Sequence, residues 1–577
     1  MTSRKTPKRT HKSFMLLLTL VLSLSMVLAA CGGNDAGDKG GKAGDKKAAK
    51  DGGTVTYAVD NKFEGLFERG LYGSGTDSEI LDFTMDGLVN TDENLNYIPH
   101  IAEWDTKDNK VYTFKFKKGV KWHNGEELTV EDWKYALEVI AHKDYDGPRY
   151  VNVETIAGAK DYHKGKAKKI SGIKVINDYE IEITFDKARV NNLENLWTYP
   201  MPRKHYEGIA VKDLSKSKQV RKEPIGLGPF KVKKIVQGEY VELERFDDYW
   251  QGKPKLDKVI VKVIDPSLAV GSLKNGEVDI MKIRPDNIEE LKGVDQIEIK
   301  EGPSLSYSYV AFKLGHWDKD AGHAVMDNPK FQNKNLRQAM FYALDRQSII
   351  DAYLAGKAKV INKPIPAVHW IAADEKELTQ YNYDPEKAKK LLAEAGYKDI
   401  DGDGFVEDPE GKKFKINFDH YAGPNTFEGR ANAMIQNWRD VGLDVKLNGG
   451  LKEFNLYNEL NDKDDPSIEV FFGSWATGSD PDPSGLWASD AFWNKPRWVN
   501  EESDNLLQEG LSEKSFDKEY RKDVYVKWQQ LMNEELPALP LWENIELAAA
   551  NKRLQNVKMD PGGVRVDVYK WAVTDGK

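Results

Sequence analysis

Apolar and polar residues alternate from Thr54 to Val59, the period of a strand, which we place at a sheet edge. From Asp77 to Leu88 the period lengthens, and Ile80, Leu81, Met85 and Leu88 fall on one face of a helix. Alternation returns at Tyr112, Phe114 and Phe116, and Asn124-Gly125 then marks a turn. Thr129 follows as a helix N-cap, with Glu131 and Asp132 placed to complement the positive helix end. Val130, Trp133, Leu137 and Ile140 repeat at helical spacing and predict a core stripe rather than a binding face. Further along, the pattern predicts a strand over Val259–Ile264 and a helix over Ser267–Lys274. It also predicts a helix over Asn432–Val441 leading into a strand over Leu443–Leu447. Strands alternating with helices predict an α/β fold, and 577 residues are too many for one core, so two or three domains are expected.

The apolar run Ile468–Phe472 has the length and content of a buried strand. It breaks into Gly473, Ser474 and Trp475, then into a stretch with two Asp-Pro steps, at Asp480 and Asp482. A residue before proline is pushed out of the helical region, so the backbone there is extended or turning. Ligands of open α/β sheets sit just beyond the carboxyl ends of strands. Trp475 and Trp487 would offer flat apolar walls there, beside the negative charge of Asp480 and Asp482 and the backbone of Ser474, Thr477 and Gly478. That chemistry suits a ligand with an amine end and varied side chains. The competing expectation is a Pro-rich surface turn with two packed tryptophans.

Composition and charge matter most at the amino end. Arg4, Lys5, Lys8, Arg9 and Lys12 precede an apolar run from Phe14 to Ala30, which predicts a signal peptide over residues 1–30. Its removal takes five cations and no acid from a formal charge of −9, leaving −14. So acidic a surface argues against nucleic acid and anionic lipid as ligands. Leu28-Ala29-Ala30-Cys31 resembles the bacterial lipoprotein cleavage box, which implies that Cys31, the single cysteine, is acylated. One thiol excludes internal disulfides and multi-cysteine metal sites. Gly32–Gly53 is almost wholly Gly, Ala, Asp and Lys, a flexible tether averaging about 25 Å end to end. No other segment approaches the ~20 apolar residues of a membrane span. We therefore expect an exported monomer anchored by lipid to the outer face of the cell membrane and otherwise soluble.

Residues 399–410 carry oxygen-bearing side chains at loop positions one, three, five, nine and twelve: Asp399, Asp401, Asp403, Glu407 and Glu410. With glycine at position six and the Phe405 carbonyl at seven, this is the spacing of a calcium loop. Phe414–Phe418 beyond it alternates like a strand, so a structural calcium site is expected rather than a paired-helix sensor. A solvated acidic turn is the alternative.

Catalysis is disfavoured by the residues themselves. There is no His-Glu-x-x-His, no Gly-x-Ser-x-Gly and no cysteine beyond position 31, and none of the ten histidines pair at helical ligand spacing. Asp480 and Asp482 stand too close in one turn to straddle a glycosidic bond in the usual way. A purely structural surface protein fits poorly with 61 aromatic residues and no internal repeat.

The block Tyr112–Trp133, with its Trp122-His123-Asn124-Gly125, resembles the signature of the peptide- and nickel-type extracellular solute-binding proteins of ABC importers. Pro224-Ile225-Gly226-Leu227-Gly228-Pro229-Phe230, Asp248–Asp257, Gly276–Ile280, Leu336–Arg346 and Tyr383–Gly396 are similar to further motifs of that family. The resemblance covers residues 54–577. It implies a type II periplasmic-binding-protein fold, two hinged lobes with an extra inserted domain. Domain I would take 54–95, 222–312 and 540–577, domain II 96–221 and domain III 313–539. It also implies capture of oligopeptides and delivery to a membrane permease, with no cofactor; chelated nickel, haem or a sugar is the alternative solute. Family members that fix a peptide's free amine do so with an aspartate three residues after the tryptophan of this loop. Here that position is Gly478, so the role does not transfer: either Asp480 or Asp482 reaches the amine, or the amine stays near water, which we favour.

Overall fold

The computed structural model describes residues 50–424 and 426–574. Cys31, the signal segment and most of the expected tether lie outside them. The coil expected up to Gly53 is already paired at its end, with Lys50 N–H donating to Val573 O at 2.9 Å and Gly53 N–H to Asp257 Oδ2 at 2.9 Å. Among the described residues no helix is long and apolar enough to cross a membrane.

The frame is an eleven-stranded sheet built around two long neighbours, Ile297–Phe312 and Ala538–Asn551. Outward from the first run Val470–Ala476, Lys415–Asp419 and Asp444–Leu447. Outward from the second run Ile280–Lys282, Thr54–Val59, Lys258–Val263, Tyr240–Arg245 and Phe230–Val236, and the short eleventh strand Ala358–Val360 also pairs with the second at Trp542–Asn544. The two long strands are shared between cores. Val310–Phe312 and Ala538–Trp542 belong to the largest apolar cluster, whereas Ala548 and Ala550 belong to another. Their register shifts between Pro303 and Tyr307, where proline has no N–H for the ladder, so pairing loosens between the two cores.

Thr54–Val59 is not an edge strand. It pairs in parallel with Lys258–Val263 on one side and Ile280–Lys282 on the other, and Ala58 and Val59 are both buried. The helix expected over 77–88 spans Gly75–Thr84. Its end is set from far along the chain: Gly228 N–H takes the Thr84 carbonyl at 2.9 Å, and a Cβ on Gly226 would stand 1.9 Å from that oxygen. Only glycine allows the backbone so close.

Residues 102–184 form a separate antiparallel four-stranded sheet, in the order Ala102–Thr106, Val111–Phe116, Glu180–Thr184 and Ile173–Asn177. The helix Val130–Ile140 packs on it through the expected stripe, with Phe114 and Trp133 edge to face at 4.8 Å. Thr129 N–H donates to the Asp132 carboxylate at 3.0 Å, which closes the helix start. This small sheet has its own core, which takes in Leu196 and Trp197. The helix Pro385–Glu394 is capped by Asp384 as expected, and the helix expected over 432–441 spans Thr426–Arg439.

Candidate ligand-binding site

The strand Val470–Ala476 pairs along its whole length with Ile297–Phe312. On its other edge, Lys415–Asp419 reaches only Val470 and Phe471. Antiparallel pairing alternates, and Lys313 N–H to Glu469 O together with Thr477 N–H to Leu305 O sets the odd-numbered residues toward the long strand. Phe472, Ser474 and Ala476 therefore turn their N–H and C=O to the open edge. The Tyr457 hydroxyl donates to Phe472 O, leaving Ser474 and Ala476, both exposed, as two steps of unpaired ladder. Such an edge is a template for another extended chain.

Beside the edge lies a cavity of about 440 Å³ walled by Tyr309, Tyr421, Phe454, Tyr457, Trp475 and Trp493. Tyr309 and Trp475 stack with centroids 6.4 Å apart, and Trp493 meets Trp475 edge-on at 6.0 Å. Gly473 makes this possible, since a Cβ there would stand 2.4 Å from the Tyr309 ring. Asn458, Asn461 and Lys495 add polar atoms at the cavity wall. An extended chain on the edge would place alternate side chains toward this aromatic box.

Among the residues expected at the site, Ser474 and Trp475 frame the edge and the cavity. Thr477 is fixed from behind: its hydroxyl donates to Leu305 O at 2.9 Å and meets His369 Nε2 at 2.8 Å. Burial pushes the His369 imidazole down to about 4, so it is neutral. Trp487, expected as a ligand wall, is instead 1% exposed in the large core, donating from Nε1 to the Tyr307 hydroxyl. It supports the site from beneath. Asp480 is held by Arg521, whose Nη2 lies 2.8 and 3.1 Å from the two carboxylate oxygens. Asp482 accepts from the Ser484 hydroxyl at 2.6 Å and the Tyr525 hydroxyl at 3.0 Å, and burial raises its pKa. Both aspartates thus have partners within the fold. Arg521, Tyr421, Phe454, Tyr457 and Trp493 were not foreseen; the first four stand far from the loop in sequence or inside an ordinary helical pattern, and Trp493 lies in a turn six residues beyond Trp487.

The acidic loop brings carboxylate oxygens of Asp399, Asp401 and Asp403 within 4.8 Å of one another. The Lys413 ammonium sits among them, 2.5 Å from Asp401, 2.6 Å from Asp403 and 2.8 Å from Glu407. Hydrogen bonds to these carboxylates raise the Lys413 pKa. Asp399 accepts from the Gly402 and Gly404 N–H groups, Phe405 N–H donates to Asp403, and Glu410 is turned to Lys412. Asp401, Asp403 and Glu407 are suitable oxygen donors, but a calcium ion would have to displace Lys413 and recruit Glu410.

Over residues 96–495 the chain matches the middle region of the bacterial extracellular solute-binding proteins, family 5, and it belongs to that family of binding proteins. It is 28% identical over 575 residues to the oligopeptide-binding protein AppA of Bacillus subtilis (strain 168), spanning 97% of this chain and 99% of the relative. Its fold matches lactococcal OppA complexed with an endogenous peptide in the closed conformation, with a TM-score of 0.72 and 27% identity over 90% of this chain and 100% of that one. NikZ from Campylobacter jejuni in complex with Ni(L-His) matches with a TM-score of 0.69 and 26% identity over 90% of this chain and 99% of that one. The shared fold is a mixed α/β frame used for more than one kind of solute.

Proposed function

We propose that this protein captures extracellular oligopeptides and delivers them to an ABC-type importer, working from a lipid anchor at Cys31. The observation that carries the reading is the free backbone edge at Ser474 and Ala476 beside an aromatic cavity. Backbone pairing is blind to sequence, because each residue of a peptide offers the same donor and acceptor. Aromatic walls with polar tips then accept varied side chains, with water filling what a small side chain leaves. A chelated metal or a sugar has no use for a strand edge. The peptide-bound structures of similar fold, lactococcal OppA with an endogenous peptide and AppA of Bacillus subtilis with a nonapeptide, support the same reading. The loosened register of the two long strands is where the cores would swing together on the ligand. Native mass spectrometry of the protein as purified tests it. A ladder of bound masses between roughly 400 and 1,500 Da is expected for peptides in a cleft of this class, and one sharp mass of a metal chelate, haem or sugar would overturn it.

A further inference from the structure

We propose that Glu194 receives the positive end of the bound peptide, supplied from the small-sheet core across the seam rather than from the loop that follows Trp475. The proposal rests on the peptide reading above and names how that ligand's charge is held.

Glu194 is anchored by neighbours in the small-sheet core, Leu193, Leu196 and Trp197. Its Oε1 stands 3.6 Å from where a Cβ on Gly478 would be. A carboxylate from a different core thus occupies the space beside Gly478, a position of this loop that lacks a side chain. The other oxygen, Oε2, is out of contact with water and has no hydrogen-bond partner.

Around it lies a cavity of about 270 Å³ lined from both cores, by Tyr97 and Trp104 on one side and Trp370, Ser479, Asp480 and Arg521 on the other. The charges there are equal in number but not matched in pairs. Asp480 and Arg521 answer each other, and Lys518, above the Trp370 ring, gives its ammonium to Asn96 Oδ1 at 2.6 Å. His369 is neutral. Among the described residues Glu194 remains as the carboxylate without an ion pair of its own, with Arg521 near it but committed to Asp480. Burial first, and the Asp480 charge second, push its pKa up to about 7. A desolvated carboxylate without a partner is costly, and an arriving ammonium removes that cost with a charge-assisted hydrogen bond. The rings of Trp104 and Tyr97 are suited to line a cation's path, while Trp370 is engaged by Lys518.

The register also fits. Ser474 and Ala476 turn their backbone groups outward, and the next even position along the loop is Gly478. A chain pairing on that edge, at about 3.4 Å per residue, therefore brings one of its ends to Glu194. The group recognised is a primary ammonium, from the peptide's amino terminus or from a lysine near it.

Calorimetric titration of the full chain with a nonapeptide, its N-acetylated form and its lysine-to-norleucine form separates these sources. In the wild type, one of the two modifications should weaken binding about tenfold or more. Glu194→Gln should shrink that difference to about threefold or less, with the urea midpoint reporting its fold. Gly478→Asp in a Glu194→Ala background, where the shortened side chain clears the space beside residue 478, should restore the difference. A wild type indifferent to both modifications overturns the proposal, as does a difference that survives Glu194→Gln. If the wild type binds no peptide at all, the peptide reading itself falls, and this proposal with it.

Discussion

His123 and Gly226, 103 residues apart, hold each other twice: Gly226 N–H donates to His123 Nδ1 at 2.9 Å, and His123 N–H donates to Gly226 O at 3.0 Å. Nδ1 is therefore an acceptor, and the neutral ring carries its proton on Nε2, which donates to Gly228 O at 3.0 Å. The Trp122-His123-Asn124 turn of the small sheet is thereby fastened to the glycine pair that ends the helix at Thr84. His123→Phe leaves the Gly226 N–H and the Gly228 carbonyl without partners, and the unfolding free energy should fall by about 2–4 kcal/mol. Urea denaturation at pH 7.5 measures it, and a variant as stable as the wild type would remove the fastening role.

The same ring makes stability depend on pH. Burial lowers the His123 pKa from 6.5 to about 4. Its contribution is complete above the unfolded value and is lost as pH falls toward the folded one. His369, at about 4, and His420, at about 3, act in the same direction. Glu68 and Glu194, raised from 4.5 to about 7 by burial, act oppositely, giving most below their unfolded value and losing it as pH rises to 7. Between pH 4.5 and 6.5 the histidines raise the urea midpoint as pH rises, and the buried carboxylates, Asp482 among them, lower it. Relative to the wild type, the slope of midpoint against pH should therefore become less positive in His123→Phe and more positive in Glu68→Gln. Parallel curves for all three proteins would contradict these protonation states.

Much of the frame was legible because it depends on local rules. The stripe Val130, Trp133, Leu137 and Ile140 is buried as its spacing requires, and Asp384 caps its helix. Where the pattern misled, distant backbone decided. Thr54–Val59 looks half-exposed in sequence because Thr54 and Thr56 are polar, yet strands contributed much later in the chain cover both of its edges. The helix after Gly75 stops short because Gly228 takes its carbonyl. Within the site, Trp475 was legible from the break in an apolar strand. Arg521 sits in an ordinary helix, and Glu194 in a loop with no motif; only the meeting of two cores gives either a role.

Lys413 sets the metal chemistry of the acidic loop. Its ammonium lies where a cation would sit, and it carries no cost of recruitment, so it competes with any divalent ion. Lys413→Ala should bind one calcium ion at least about tenfold more tightly than the wild type after chelation, and Asp401→Ala in that background should abolish the site. Titration calorimetry reads both. Equal affinities with and without Lys413 would mean that the lysine does not occupy the cation position.

At the amino end, Cys31→Ala should move the protein from the membrane fraction to the medium without changing peptide affinity. A single acyl chain holds only marginally, so stable anchoring calls for more than one chain on that residue. Retention of the variant on membranes after a high-salt wash would place the anchor elsewhere.

Strand pairing at the open edge makes a prediction about the ligand's own backbone. Among the described residues of this strand, Ser474 and Ala476 present the free groups, and in an extended partner only alternate residues face them. Methylating a peptide nitrogen removes a donor and adds bulk toward the edge, but does so harmlessly where the N–H points away. A series of nonapeptides, each N-methylated at one position, should therefore lose affinity about tenfold or more at one or two positions of equal parity and much less at their neighbours. Phe454→Ala gives the complementary control. Phe454 is 51% exposed at the rim of the aromatic cavity, so its removal should spare the fold. It should weaken a peptide with a large apolar residue near the pairing positions more than one with alanine there, while leaving the methylation pattern unchanged. A flat methylation profile, or losses spread evenly along the peptide, would mean that the ligand is held by its side chains and that the edge of Val470–Ala476 is not where it binds.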